Sequence, residues 1–321
     1  MARTRFWTVN SPYLSELENM AKKNQNNKKE FERWKSIFPH TWSFQLYKKY
    51  NSELNCILWS ELISHKFVYN QLGKEQALWT DKTNKYFSVP QKVWNFPTLQ
   101  EWATSYNDAQ NWILLNCIVA LNANLETYLD SVISLAIESN PGLLLHADKY
   151  IDGTLLLKNS SFSKEDYSPL VMECTKGTWS QRVSAFKKLF GEVPITLAQS
   201  ISSLDKARIT RNNAAHALGR DIEQSRKFIS NEKLSAEAVS LDRVKKLLGL
   251  FYKIVEEVDT FLLEKHIGAF QIIIHLHNNY DLLTYKTIQG RSNAFKRMYR
   301  SIDNPLSKQY SLELLQYYES L

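Results

Sequence analysis

The chain has 321 residues, 44% of them hydrophobic, with only 9 Gly and 8 Pro, so it can bury a sizeable core while lacking the turn-formers of a sandwich or barrel. Forty basic against 33 acidic residues leave a net charge of +7, which permits polyanion binding without amounting to a dedicated basic tail. Cys56, Cys117 and Cys174 are odd in number, far apart and in no Cys-x-x-Cys arrangement, so neither a disulfide framework nor a cysteine zinc site is suggested, and a reducing cytoplasm fits best.

The amino terminus carries Arg3 and Arg5, but Ser11, Glu16, Glu18 and Lys22 interrupt the stretch behind them, so no secretory signal is read there. Residues 1–98 are expected to form a mainly helical, aromatic-rich layer of their own, holding Trp7, Trp34, Trp42, Trp59, Trp79 and Trp94. Those rings suit either a core or base stacking. The polar run Lys22 to Lys29 reads as a solvated loop or helix end, and Pro90 and Pro97 punctuate the exit.

Residues 99–268 are expected to form a helical bundle. Trp102, Ile113, Cys117, Leu121, Leu125, Tyr128, Val132 and Leu135 recur at helical spacing, and the pattern predicts a helix over Leu99–Glu138 that ends at Pro141-Gly142. Its stripe is wide, as for a helix buried on more than one side. Asn116, Asn122, Asn124, Glu126 and Asp130 interrupt this most apolar stretch, so neither a membrane span nor a membrane role is expected. A loop-like stretch from His146 to Pro169 follows, then a short amphipathic helix over Gln181–Phe190 and another over about Ile195–Leu218. Ser240 or Asp242 can cap a long helix over Arg243–Lys265, with Gly268 just past its end.

Residues 269–321 form a C-terminal extension. Phe270 to His277 fits a short strand or a further helix, and only as a strand would His275 and His277 share a face as metal ligands; no third ligand is evident. Arg291, Lys296, Arg297 and Arg300 make a basic cluster before Asn304-Pro305. The chain contains no G-x-x-x-x-G-K-[ST], no G-x-S-x-G and no H-E-x-x-H, so P-loop, common serine hydrolase and zincin chemistries lose support.

One stretch carries residue types suited to chemistry. Between Lys206 and Gly219 stand Arg211, a polar Asn212 directly after it, and His216 five positions beyond the Arg. A neutral imidazole can take the proton of an RNA 2′-hydroxyl as it attacks the adjacent phosphorus, and a guanidinium can hold the phosphate oxygens as charge builds. Arg33 and His40 have a looser spacing of the same kind, but Trp34 follows the Arg and Pro39 precedes the His, so that pair is set aside.

This R-[polar]-x-x-x-H arrangement, set among predicted bundle helices, resembles the signature of the HEPN superfamily, over about Leu99 to Gly268. The resemblance implies an all-α bundle and a metal-independent endoribonuclease without a cofactor, with Arg211, Asn212 and His216 as catalytic residues. It implies a homodimer too, in which both motifs line one cleft; on a regular helix Arg211 and His216 lie about 140° apart and do not simply share a face. Glu126 lies where HEPN first helices often bring an acidic residue toward the site, and an ion pair to Arg211 is expected. Arg208 and Arg220 flank the motif and suit either RNA phosphates or a solvated helix face. HEPN toxins paired with nucleotidyltransferase antitoxins carry a Tyr two residues after the His; here that position is Leu218, so regulation by modifying such a Tyr is not expected. The function implied is a toxin or antiviral effector with an antitoxin or sensor as partner. The alternative is a catalytically silent HEPN dimer that binds RNA, a nucleotide or a protein.

Overall fold

A computed structural model describes residues 31–88, 96–160, 163–226, 234–300 and 302–321; Trp7, Trp94, Pro90 and the Lys22–Lys29 run lie outside them. Its first helix, α1 (Trp42–Lys74), starts where the Thr41 hydroxyl accepts a hydrogen bond from the Phe44 amide, one of the N–H groups that a helix start leaves without an internal partner. Thr98 opens α2 (Leu99–Ser139) in the same way, through the Glu101 amide, and the helix stops at Asn140 because Pro141 cannot continue it. The expected helix is found to within a residue.

The stretch read as a loop from His146 to Pro169 contains α3 (Gly153–Lys158) and the start of α4 (Ser168–Thr175). Pro169 sits in the first turn of α4, where its missing N–H has no helical partner to lose, so the residue that suggested a loop instead starts a helix. A capping box of Thr178 and Gln181 then begins α5 (Trp179–Phe190). The single helix expected over Ile195–Leu218 is two, α6 (Ile195–Gln199) and α7 (Ile201–Ala217). Glu257 holds the Thr196 amide and hydroxyl at 2.9 and 2.5 Å, which fixes α6 against the neighbouring helix, and the chain turns at Ser200.

After α8 (Ile222–Arg226), Ser240 caps α9 (Leu241–Leu262), whose end widens into a π turn over Leu263–Ile267. Gly268 then reverses the chain at φ +56°; a Cβ there would stand 2.5 Å from the Arg33 carbonyl oxygen, so only glycine fits. The C-terminal part is α10 (Phe270–Asn278), α11 (Ile288–Tyr299) and α12 (Lys308–Ser320). Phe270 to His277 is thus helical, and His275 and His277 project roughly 160° apart instead of sharing a face. No metal-holding group of His, Cys, Asp and Glu exists among the described residues.

The fold is all-α, with no strand among the described residues. Its centre is α2, which packs on α1, α7 and α9 at once and buries Ile118, Leu121, Leu125, Val132 and Ile133 completely or nearly so. Each such side chain contributes roughly 1.5–3 kcal/mol of burial. The core is continuous from Phe44 in α1 to Tyr318 in α12, so the described parts of the first 98 residues and of the last 53 share it with the bundle between. The three cysteines are free, and burial pushes the Cys174 thiol up to about 12. No helix is long and apolar enough to cross a membrane among the described residues.

Two buried charges fasten the N-terminal segment to this core. Asp259 of α9, fully buried, accepts from the Thr41 amide at 3.0 Å, the Thr41 hydroxyl and the Tyr128 hydroxyl at 3.2 Å, with His40 Nδ1 3.4 Å away. Arg33 pairs through Nε with Asp152 at 2.9 Å and donates to the Ser139 and Ile267 carbonyls. The set-aside Arg33 and His40 therefore serve the fold. Asp259→Ala should cost about 2–4 kcal/mol, because it leaves buried donors without an acceptor. Chemical denaturation measures this; a loss below about 1 kcal/mol would show that the carboxylate is not the fastening.

Candidate functional site

The helix α7 is short of apolar residues and carries Asp205, Arg208, Arg211, Asn212 and His216. Its buried residues, Leu204, Ala207 and Thr210, set the helix against α2. That packing brings Arg211 beside Glu126, and the expected ion pair is present: Arg211 Nη2 donates to Oε1 at 2.9 Å and Oε2 at 2.8 Å. The other guanidinium nitrogen, Nη1, donates to Asn212 Oδ1 at 2.9 Å. Asn212 therefore uses its carbonyl to orient Arg211 and does not hold the histidine.

Glu126 serves more than one cation. Arg182 of α5 donates to its Oε1 at 3.0 Å, and Lys176 lies 3.8 Å from Oε2. Arg182 is only 4% exposed, stacks its guanidinium 4.6 Å from the Trp179 ring centre, and leaves Nη1 buried without a partner. Burial depresses its affinity for the proton, Glu126 opposes that, and the like charges of Arg208 and Arg211 add to it. Arginine stays charged in such surroundings. Asp205 adds a second carboxylate, which accepts from Arg208 Nε at 2.9 Å and from the Trp179 amide at 3.2 Å, the first N–H of α5.

The site thus gathers Lys176, Arg182, Arg208 and Arg211 around Glu126 and Asp205, an excess of positive charge in a partly buried place. Such an excess attracts an anion such as a phosphodiester. A depression of about 500 Å³ that includes Lys176, Ser180, Ser184 and Lys188 continues outward from Lys176.

His216 stands elsewhere. It lies in the last turn of α7, exposed, with no hydrogen-bond partner among the described residues. Because α7 is regular from Arg211 to His216, the two residues are separated by roughly 7.5 Å along the axis and about 140° around it. One chain does not bring them together. Leu218 ends the helix with φ +52° and ψ +41°, a left-handed conformation that a non-glycine residue adopts at a cost of about 1–2 kcal/mol. Arg220, expected among the phosphate contacts, instead holds backbone: its Nε donates to the Leu234 carbonyl at 2.8 Å and its Nη1 approaches that of Ala217 at 3.5 Å.

The sequence reading missed Arg182, Lys176 and Asp205. A signal for Arg182 was available: Trp179, Arg182, Phe186 and Phe190 follow one another on the apolar face of an amphipathic helix and are all buried. A charge on such a face requires a buried partner of opposite sign. Comparison with family models, with characterised proteins and with solved structures finds no match to this chain. Glu126→Gln should destabilise the protein by roughly 3 kcal/mol, since it strands the Arg182 charge, and Glu126→Gln with Arg182→Leu should recover part of that loss. Equilibrium unfolding of the parent and the two variants checks it; a Glu126→Gln protein indistinguishable from the parent would remove Glu126 from the centre of the cluster.

Proposed function

We propose that this protein is a metal-independent endoribonuclease of the HEPN kind, acting as a homodimer, in the cytoplasm, as a toxin or antiviral effector restrained by an antitoxin or sensor. The observation that carries this reading is the pairing, on one helix, of a preoriented Arg211 inside a cluster with excess positive charge and an exposed, unengaged imidazole at His216. The cluster can hold the phosphate; the imidazole can accept the 2′-hydroxyl proton. The 2′-oxygen then bonds to phosphorus, the bond from phosphorus to the 5′-oxygen breaks, and that oxygen leaves as a hydroxyl by taking a proton from water, to which the imidazolium of the same site returns its own. A cyclic 2′,3′-phosphate remains.

Two copies answer the 140° divergence, since the His216 of one α7 can face the Arg211 cluster of the other. Ala214, half-buried, and Ala215, exposed, leave room for close approach of the two helices. Arg208, held by Asp205, and Arg220, held by backbone carbonyls, shape the approach to the site more than they serve as free phosphate ligands.

A second reading rests on the double contact of Arg211 Nη2 with Glu126, which equally suits a structural ion pair in a catalytically silent dimer that binds RNA, a nucleotide or a protein. One experiment separates the two. The purified protein is expected to cut RNA in the presence of EDTA and to leave 2′,3′-cyclic ends, while His216→Ala and Arg211→Ala remain folded and lose cleavage by a factor of about 10² or more. Cleavage that survives both substitutions rejects the assignment; RNA binding with no cleavage by the parent protein selects the second reading.

A further inference from the structure

Just past the end of α7 lies a cleft of about 450 Å³, in the range of roughly 300–1,000 Å³ typical of small-molecule sites. One side is a stripe of α2, with Asp108, Trp112 and Leu115 at successive turns. The other is formed by Leu218, Arg220 and the segment Leu234–Ala238. That segment is extended and has no helix of its own, yet it is fastened repeatedly. Asn111 donates to the Glu237 carbonyl at 2.9 Å and accepts from the Val239 amide at 2.8 Å; the Glu237 amide donates to the Gly219 carbonyl at 2.7 Å; Arg220 holds Leu234. Gly219 lets this wall close on the floor, because a Cβ there would stand 2.6 Å from Leu115 Cδ1. The cleft is a built feature whose rim is held by these hydrogen bonds.

Its exposed surface is chemically unusual. Trp112 is 51% exposed and has no aromatic partner among the described residues, unlike Trp102 and Trp79, whose rings pack on Tyr69. Leu218 is 61% exposed and is carried in the strained left-handed conformation at the helix end. Asp108 is exposed and has no ion pair among the described residues. A flat indole, an aliphatic side chain and an unpaired carboxylate, all lining one cleft, are what an unstacked base needs: faces to lie against and an edge acceptor. Leu218 is also two residues from His216, so a base held here would lie next to the imidazole.

We infer that this cleft is a nucleobase subsite selective for guanine, with Trp112 stacking the base and Asp108 reading its edge. Guanine presents two adjacent donors, N1–H and the N2 amino group, which match the two oxygens of a carboxylate; uracil presents one N–H between two carbonyls that a carboxylate repels, and adenine and cytosine each pair one donor with an acceptor. The inference rests on the ribonuclease reading for its role, that of choosing where RNA is cut, but the binding it asserts is separately measurable.

Calorimetric titration of the full-length His216→Ala protein with the four nucleoside 3′-monophosphates tests it. Guanosine 3′-monophosphate is expected to bind most tightly; Trp112→Ala should weaken it roughly tenfold or more while Trp112→Phe largely preserves it, and Asp108→Asn should abolish the preference for guanine. Affinity unchanged in a folded Trp112→Ala protein, or equal for all four nucleotides, overturns the inference. Cleavage assays with otherwise unsubstituted protein keep the two readings apart. If RNA is cut and Trp112→Ala alters neither the rate nor the bases next to the cuts, the subsite is wrong and the nuclease stands. If guanosine 3′-monophosphate binds as described and no RNA is cut, the subsite stands and the nuclease reading falls.

Discussion

One carboxylate organises the candidate site. Glu126, on the helix at the centre of the fold, is shared by Arg182 from α5, Arg211 from α7 and, more distantly, Lys176 at the end of α4. Its value depends on burial. Lys176 is 67% exposed, and its pairing contributes little in water; Arg182 is 4% exposed and cannot be left without a counterion. The carboxylate thereby ties α5 and α7 to α2 and fixes the orientation of Arg211. Preorganisation of this kind is what electrostatic stabilisation of a developing charge requires.

The same interaction limits what a single chain can do. Arg211 is turned toward α2 and α5, and helix geometry then sends His216 away from it, toward solvent. Two ways of using both residues remain: a second copy brings its own histidine to the cluster, or the histidine serves a different function at the helix end. The first joins the two halves of the motif in one reaction. The proposed base subsite at Trp112 would then lie near the imidazole of its own chain, since Leu218 stands two residues beyond His216.

Much of the helical framework was legible in the sequence because its signals are local. Thr98 and Pro141 bound α2, and Ser240 and Gly268 bracket α9 with its π turn. The features that were not legible depend on tertiary partners. The break at Ser200 goes with the grip of Glu257 on Thr196, a contact across 61 positions, and Arg220 is drawn to a carbonyl 14 residues on, which no charge pattern reveals. The motif itself was readable, including the pairing of Glu126 with Arg211, whereas the three further charged residues around it were not, except that Arg182 stood on an apolar face. The continuity of the core across residues 98 and 268 was also hidden, because it is made of apolar contacts between distant segments, beside which Asp259 and Arg33 reach across the chain.

In the proposed ribonuclease, Arg211 and His216 meet across two chains. Arg211→Ala and His216→Ala proteins, each inactive alone, can be unfolded together and refolded as a mixture. If each site takes its arginine from one copy and its histidine from the other, mixed dimers carry one intact site, and roughly a quarter of the unsubstituted ribonuclease activity should return. Failure of the mixture to regain activity, with mixed dimers demonstrably formed, would contradict the account.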